Sequence, residues 1–270
     1  MLAGSRIPAA STKARATDGR QKICCALVKR SLVSFLVLSV VGLKLLAHGQ
    51  SSVAVADRLN EPWWKARHEH CLRMTQFGRA DVAFLGDSIT QFWEGPGQDI
   101  WDRQIAPFKA ANFGFSGDQT SHVLWRLQNG ELLGIHPKLI VLMIGTNDIG
   151  QGKSPEQTAD GVRAIVSELR SQTPSSKILL LGIFPRGAFS TDPLRQEVAH
   201  ATELFKDCVD GSHVQFLDIG TRFLAADGSL PAATFPDALH PNTDGYKQWA
   251  DAIVPTIARM TGKPIVSYGG

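Results

Sequence analysis

"AFLGDSITQFW", residues 83–93, runs apolar up to Gly86 and then presents an acid and a hydroxyl, Asp87 and Ser88. A continuous apolar run reads as a strand buried on both faces, and the turn after it reads as the start of a helix. On the plain interpretation, Ser or Asp caps that helix. On the sharper one, Ser88 is displayed for chemistry. Residues far along the chain must decide between them.

The same unit recurs. Short apolar runs stand at 82–86, 110–114, 139–144, 178–184 and 214–218, with helix-like stretches at 120–129, 155–172, 193–209 and about 243–260. Ser154-Pro155 supplies an N-cap and first-turn pair for the second of these. Strands followed by helices predict an α/β fold, a three-layer α/β/α sandwich around a parallel sheet, in a single domain over 50–270. At its start, "VADRLNEPWWKARHEHCLRMTQFG" (55–78) reads as an amphipathic helix interrupted near Pro62 and packed outside the main sheet.

Parallel sheets bind ligands beyond the carboxyl ends of their strands. Three successive strand ends carry small and polar residues: Gly86-Asp87-Ser88, Gly114-Phe115-Ser116-Gly117-Asp118 and Gly145-Thr146-Asn147-Asp148. Pro185-Arg186-Gly187 follows the fourth run.

The net charge of +3 hides an asymmetry. Residues 1–49 hold eight Lys/Arg and one acid, leaving 20 basic and 24 acidic residues from position 50 onward. The body is mildly acidic and has no general footprint for nucleic acid. "KRSLVSFLVLSVVGLKLLAHG" (29–49) pairs two cations with an apolar stretch and ends in the small residues of a cleavage site. The expectation is therefore a signal peptide over 1–49, a true start near Val28, and a secreted or periplasmic protein. An uncleaved membrane anchor is the alternative, and then the only contact with a membrane. Cys71 and Cys208 remain after the leader, and pairing is about as expected as two buried thiols. No CxxC, HExxH or His-rich tract appears, so a structural metal is not indicated.

"DALHPN" (237–242) places an acid three residues before a histidine. On a turn, the Asp237 carboxylate accepts from Nδ1–H of His240, which leaves Nε2 free to take a proton. Alone, a surface Asp and His before a helix would be the better reading. Ser88 needs a base, however, and no other histidine has such a partner at a strand end; His122, after the second turn, is the nearest rival. Asn147 offers an amide donor, and Gly117 an N–H that no Cβ obscures. With the Ser88 N–H they make three donors around one point, an oxyanion hole. Taken singly, Asn147 and Gly117 are ordinary turn residues. G-x-S-x-G, P-loop and G-x-G-x-x-G patterns are absent.

Ser88 in GDS, Gly117, Asn147 in GTND and Asp237/His240 in DxxH occur in the order of the four blocks of the SGNH (GDSL-type) hydrolases, which this chain resembles. "FGFSGDQTSHVLWRLQNGEL" (113–132), "LGIFPRG" (181–187) and "DPLRQE" (192–197) are similar to the catalytic subunits of intracellular platelet-activating-factor acetylhydrolase. The resemblance implies a flavodoxin-like five-stranded sheet and ester hydrolysis through an acyl-enzyme, without metal or organic cofactor. It implies Ser88 as nucleophile, His240 as base, Asp237 as its orienter, and Ser88, Gly117 and Asn147 as the oxyanion hole. Asp87 is then a structural brace of the nucleophile turn, and Asp148 carries no assigned chemistry. The resemblance also implies a homodimer as a possible state, since the resembling subunits form dimers.

The favoured substrate is an acetyl or short-chain acyl ester, small or polymeric, with O-acetylated carbohydrate foremost. Lipid esters of the platelet-activating-factor or lysophospholipid type come second. An acyltransferase and a catalytically silent carbohydrate-binding module are the remaining alternatives. Trp93, Trp101 and Trp125 offer stacking surfaces, although such spacing more often means core.

Overall fold

The five apolar runs become five strands: β1 (Val82–Gly86), β2 (Ala110–Gly114), β3 (Leu139–Met143), β4 (Lys177–Leu181) and β5 (Val214–Leu217). The computed structural model describes residues 53–265, so the leader expected at 1–49 lies outside the described residues. All strands are parallel, in the order β2-β1-β3-β4-β5. This is the doubly wound arrangement whose direction reverses between β1 and β3, where such sheets open a crevice.

Eight α-helices accompany them among the described residues: α1 (Pro62–Phe77), α2 (Ser88–Gln91), α3 (Gln98–Ile100), α4 (Thr120–Gln128), α5 (Thr146–Gly150), α6 (Pro155–Gln172), α7 (Pro193–Leu204) and α8 (Thr243–Thr261). Alternate strand residues face opposite layers, as the two-residue period requires. Ala83, Leu85, Ile140, Leu142, Ile178 and Leu180 pack with α1, α4, α6 and α7. Val82, Phe84, Val141, Met143, Leu179 and Leu181 pack with α8 and with Trp93, Ile100 and Phe235. The result is the expected three-layer α/β/α sandwich.

One expectation is corrected. Pro62 does not interrupt α1 but opens it, because a first-turn proline loses no helical hydrogen bond. The helix packs outside the sheet, as expected, with Trp64 and Cys71 entering the core of one face. Cys71 and Cys208 are free thiols, and burial pushes them up to about 12 and about 11. Trp93 is fully buried, and Trp101 and Trp125 pack partly buried against the two clusters.

Register sets the rim. Gly86 pairs with Gly114 on one side and with Met143 on the other. The first three strands therefore end level, and the turns after them stand side by side.

Candidate active site

Glycine ends β1 because the chain doubles back tightly there. A Cβ on Gly86 would lie 2.2 Å from Thr90 Oγ1 and 2.4 Å from the Met143 carbonyl oxygen. One on Gly114 would lie 2.2 Å from the Gln91 nitrogen. Only bare backbone lets α2 sit this close to the strand ends. Asp87 is the N-cap of α2, accepting from the Ile89 N–H at 2.9 Å, and Ser88 is its first residue. The Ser88 N–H is thus among the first-turn donors that a helix cannot use internally. Tyr246, buried in α8, donates its hydroxyl to the Ile89 carbonyl at 2.6 Å and fixes the turn from the other face.

The structure brings Ser88, His240 and Asp237 into one chain of contacts. Ser88 Oγ lies 2.9 Å from His240 Nε2, and His240 Nδ1 lies 2.6 Å from Asp237 Oδ2. The other carboxylate oxygen of Asp237 accepts from the N–H groups of His240 (2.7 Å) and Leu239 (3.0 Å). Burial alone would raise this carboxyl, but these hydrogen bonds outweigh it and the net shift is downward. The intervening Ala238 takes a left-handed φ of 56°, the backbone turn that sets acid and histidine on one side. Gly187, after β4, donates to the Ala238 carbonyl at 2.8 Å and ties the loop to the sheet. Phe92 packs its ring 5.1 Å from the His240 ring.

Asp87 differs from Asp237 in every respect that matters to a carboxylate. It is fully buried, and one oxygen has no hydrogen-bond partner. Burial pushes it up to about 7; Asp118 and Asp148 add to the rise, and the Ile89 N–H opposes it. It braces the turn through a single hydrogen bond.

Gly117 and Asn147 stand in adjoining turns joined by hydrogen bonds. Asn147 Nδ2 donates to the Asp118 carbonyl at 2.9 Å, the Ser116 N–H to Gln91 Oε1 at 2.6 Å, and the Phe115 N–H to the Gly86 carbonyl at 3.1 Å. Gly117 adopts φ +76°, which suits glycine.

Most of the residues that build this rim were not among those singled out from the sequence; Asp148 and His122 were noted there, but not for this role. Asp118, fully buried, accepts from Trp64 Nε1 (2.7 Å), Arg58 Nη1 (3.0 Å) and Arg126 Nε (2.9 Å). Arg126 also donates to the Phe113 carbonyl and pairs with the buried Glu131. Asp148 accepts from the N–H (2.9 Å) and hydroxyl (2.6 Å) of Thr120 and from Lys153 (2.9 Å), capping α4. An acid directly after Gly117 and another directly after Asn147 were the only available signals. His122 caps the same helix, its Nδ1 accepting from the Gln119 N–H at 2.9 Å, and burial lowers its pKa. That nitrogen is therefore engaged in a cap.

The family model described as "GDSL-like Lipase/Acylhydrolase family" matches residues 84–248. Human platelet-activating factor acetylhydrolase IB subunit alpha2 is 37% identical over 194 residues, covering 72% of this chain and 82% of the relative. The alpha1 subunit from Bos taurus is 33% identical over 207 residues, covering 76% and 87%. Among solved structures, a GDSL-like lipase from Bacteroides thetaiotaomicron shares the fold at TM-score 0.58 and 17% identity, over 73% of this chain and 97% of that one. An acetylxylan esterase from Geobacillus stearothermophilus does so at TM-score 0.53 and 18% identity, over 72% and 100%. Family match and relatives together make this chain a carboxylic ester hydrolase, a member of the GDSL-like lipase/acylhydrolase family.

Proposed function

We propose that the protein is a serine esterase that removes acetyl or other short acyl groups through an acyl-enzyme, with O-acetylated carbohydrate as its natural substrate. One observation carries the mechanism: the Ser88 Oγ, His240 Nε2, His240 Nδ1 and Asp237 Oδ2 atoms form a continuous hydrogen-bonded chain. His240 Nε2 takes the Oγ proton as Ser88 attacks the ester carbonyl carbon. Negative charge then grows on the carbonyl oxygen, and the N–H groups of Ser88 and Gly117 and the Asn147 amide hold it. His240 passes its proton to the departing alkoxide, leaving acyl-Ser88. Water enters, gives a proton to His240, attacks the acyl carbon and releases the acid, and the proton returns to Ser88. Asp237 stays ionised throughout and steadies the imidazolium.

The acetyl preference is supported by the names of the relatives, acetylhydrolase subunits at 33–38% identity. The expected leader supports a substrate met outside the cytoplasm, where polysaccharides are esterified. Lipid acetyl esters are the second reading, favoured by those same relatives' names. Rates on p-nitrophenyl esters of two to sixteen carbons, with acetate release from acetylated xylan and pectin, test both. The proposal expects a maximum at acetate or butyrate and acetate release from a polysaccharide. A maximum at long chains with no release would overturn it.

A further inference from the structure

We infer that Arg58, on the segment ahead of α1, is a positioning residue that orients and polarises the Gly117 N–H. This rests on the proposed role of Gly117 as an oxyanion donor. The peptide unit joining Ser116 to Gly117 is planar and trans, so its C=O and its N–H point in opposite directions. Whatever grips the carbonyl therefore aims the N–H. Arg58 Nη1 donates to the Ser116 carbonyl at 2.7 Å, and the same nitrogen donates to Asp118 Oδ1 at 3.0 Å. One guanidinium nitrogen thus holds both neighbours of Gly117. It also lies against the glycine itself, since a Cβ there would meet Arg58 Nη1 at 3.2 Å.

The guanidinium is fixed before any substrate arrives. Its Nε and Nη2 donate to the two carboxylate oxygens of Glu61, each at 2.8 Å, and it lies 5.1 Å over the Trp63 ring. The other supports of this turn act elsewhere. Gln91 takes the Ser116 N–H, Asn147 takes the Asp118 carbonyl, and Trp64 and Arg126 hold the Asp118 carboxylate. Arg58 engages the carbonyl of the peptide whose N–H is at issue. A cationic donor there draws electron density onto that oxygen and leaves the N–H a stronger donor. Such a prealigned dipole stabilises charge that appears only in the transition state.

The effect should fall on kcat more than on KM. The test compares wild type, Arg58→Ala, Arg58→Lys and Ser88→Ala on p-nitrophenyl acetate, with melting temperatures recorded. Arg58→Ala should lower kcat about tenfold or more, a fraction of what loss of the donor itself costs. KM should stay within about twofold, as expected for an interaction made in the transition state. Added guanidinium ion should restore part of the lost rate. A folded Arg58→Ala with wild-type kcat, or one whose loss lies wholly in KM, would overturn the inference. If Arg58→Ala does not fold, Arg58→Met decides, since it keeps an apolar stem but neither charge nor donor. A lowered kcat at unchanged KM then supports the inference, and wild-type kcat overturns it. Arg58→Lys keeps a cationic donor and should retain more of the rate than either. If Ser88→Ala keeps activity, the esterase mechanism itself fails, whatever the Arg58 variants do. If Ser88→Ala is inactive and the Arg58 variants match wild type, only the present inference fails.

Discussion

Asp87 and Asp237 both attend Ser88, the proposed nucleophile, and their surroundings drive them apart. Asp237 is more than half exposed, accepts three hydrogen bonds and is held below its ordinary range. Asp87 is buried on one hydrogen bond and is pushed up to about 7. The exposed acid is thus the anion fitted to stabilise an imidazolium, while the adjacent acid keeps a proton close to neutrality. A stability consequence follows. Between about pH 4, where an unfolded aspartate titrates, and about 7, the native state keeps a proton that the unfolded chain releases. This group's contribution therefore falls as pH rises through that window. Asp87→Asn removes the fall, so its urea midpoint should gain on wild type between pH 5 and pH 8; parallel curves would contradict the shift. Asn147→Ala should lower kcat by about 10²–10³ with little change in KM if the amide holds the oxyanion. An unchanged kcat would leave Asn147 as a linker to the Asp118 carbonyl.

The strands and the long helices were legible because periodicity and capping residues are local signals. Ser154-Pro155 opens α6 as a capping box, and continuous apolar runs mark strands covered on both faces. Boundaries moved furthest where local signals compete: the run at 178–184 is a strand over 177–181, and the stretch 193–209 is α-helical only to Leu204. Ser88, Asp237 and His240, which the fold brings into contact, were legible for another reason, since chemistry restricts their types and the three-residue spacing of acid and histidine restricts their places. The scaffold around them was not. Arg58, Trp64, Arg126 and Asp118 meet only after the chain folds, and their types suit many other roles. The close approach of α2 to β1 and β2 is likewise tertiary. Gly86→Ala should strain it against Thr90 and Met143 and cost about 1–3 kcal/mol, as overpacking does. Equal urea stability in the variant would show that α2 can shift.

Both faces of the sheet are covered, and the chemistry is confined to one rim, so most of the molecule acts by holding that rim still. Its response to acid should show the strain of one buried imidazole. His68 stacks on Trp64, 5.6 Å away, with an unpartnered Nδ1, and burial and Arg126 push it down to about 4. Native His68 stays neutral where the unfolded chain takes up a proton. Its contribution is complete above about pH 6.5 and is lost as pH falls toward 4. His68→Phe should flatten the stability profile across that interval, and an unchanged profile would contradict the assignment. The leader expected at 1–49 lies outside the described residues, and export remains part of the proposal. The proposed mechanism turns on one serine. Wild type and Ser88→Ala are each treated with a fluorophosphonate probe, peptides are mapped by mass, and p-nitrophenyl acetate hydrolysis is measured alongside. We predict one adduct, on the peptide carrying Ser88, absent in the variant, with hydrolysis reduced by several orders of magnitude. An adduct elsewhere, or a Ser88→Ala variant that still turns over the ester at the wild-type rate, would contradict the assignment of the nucleophile.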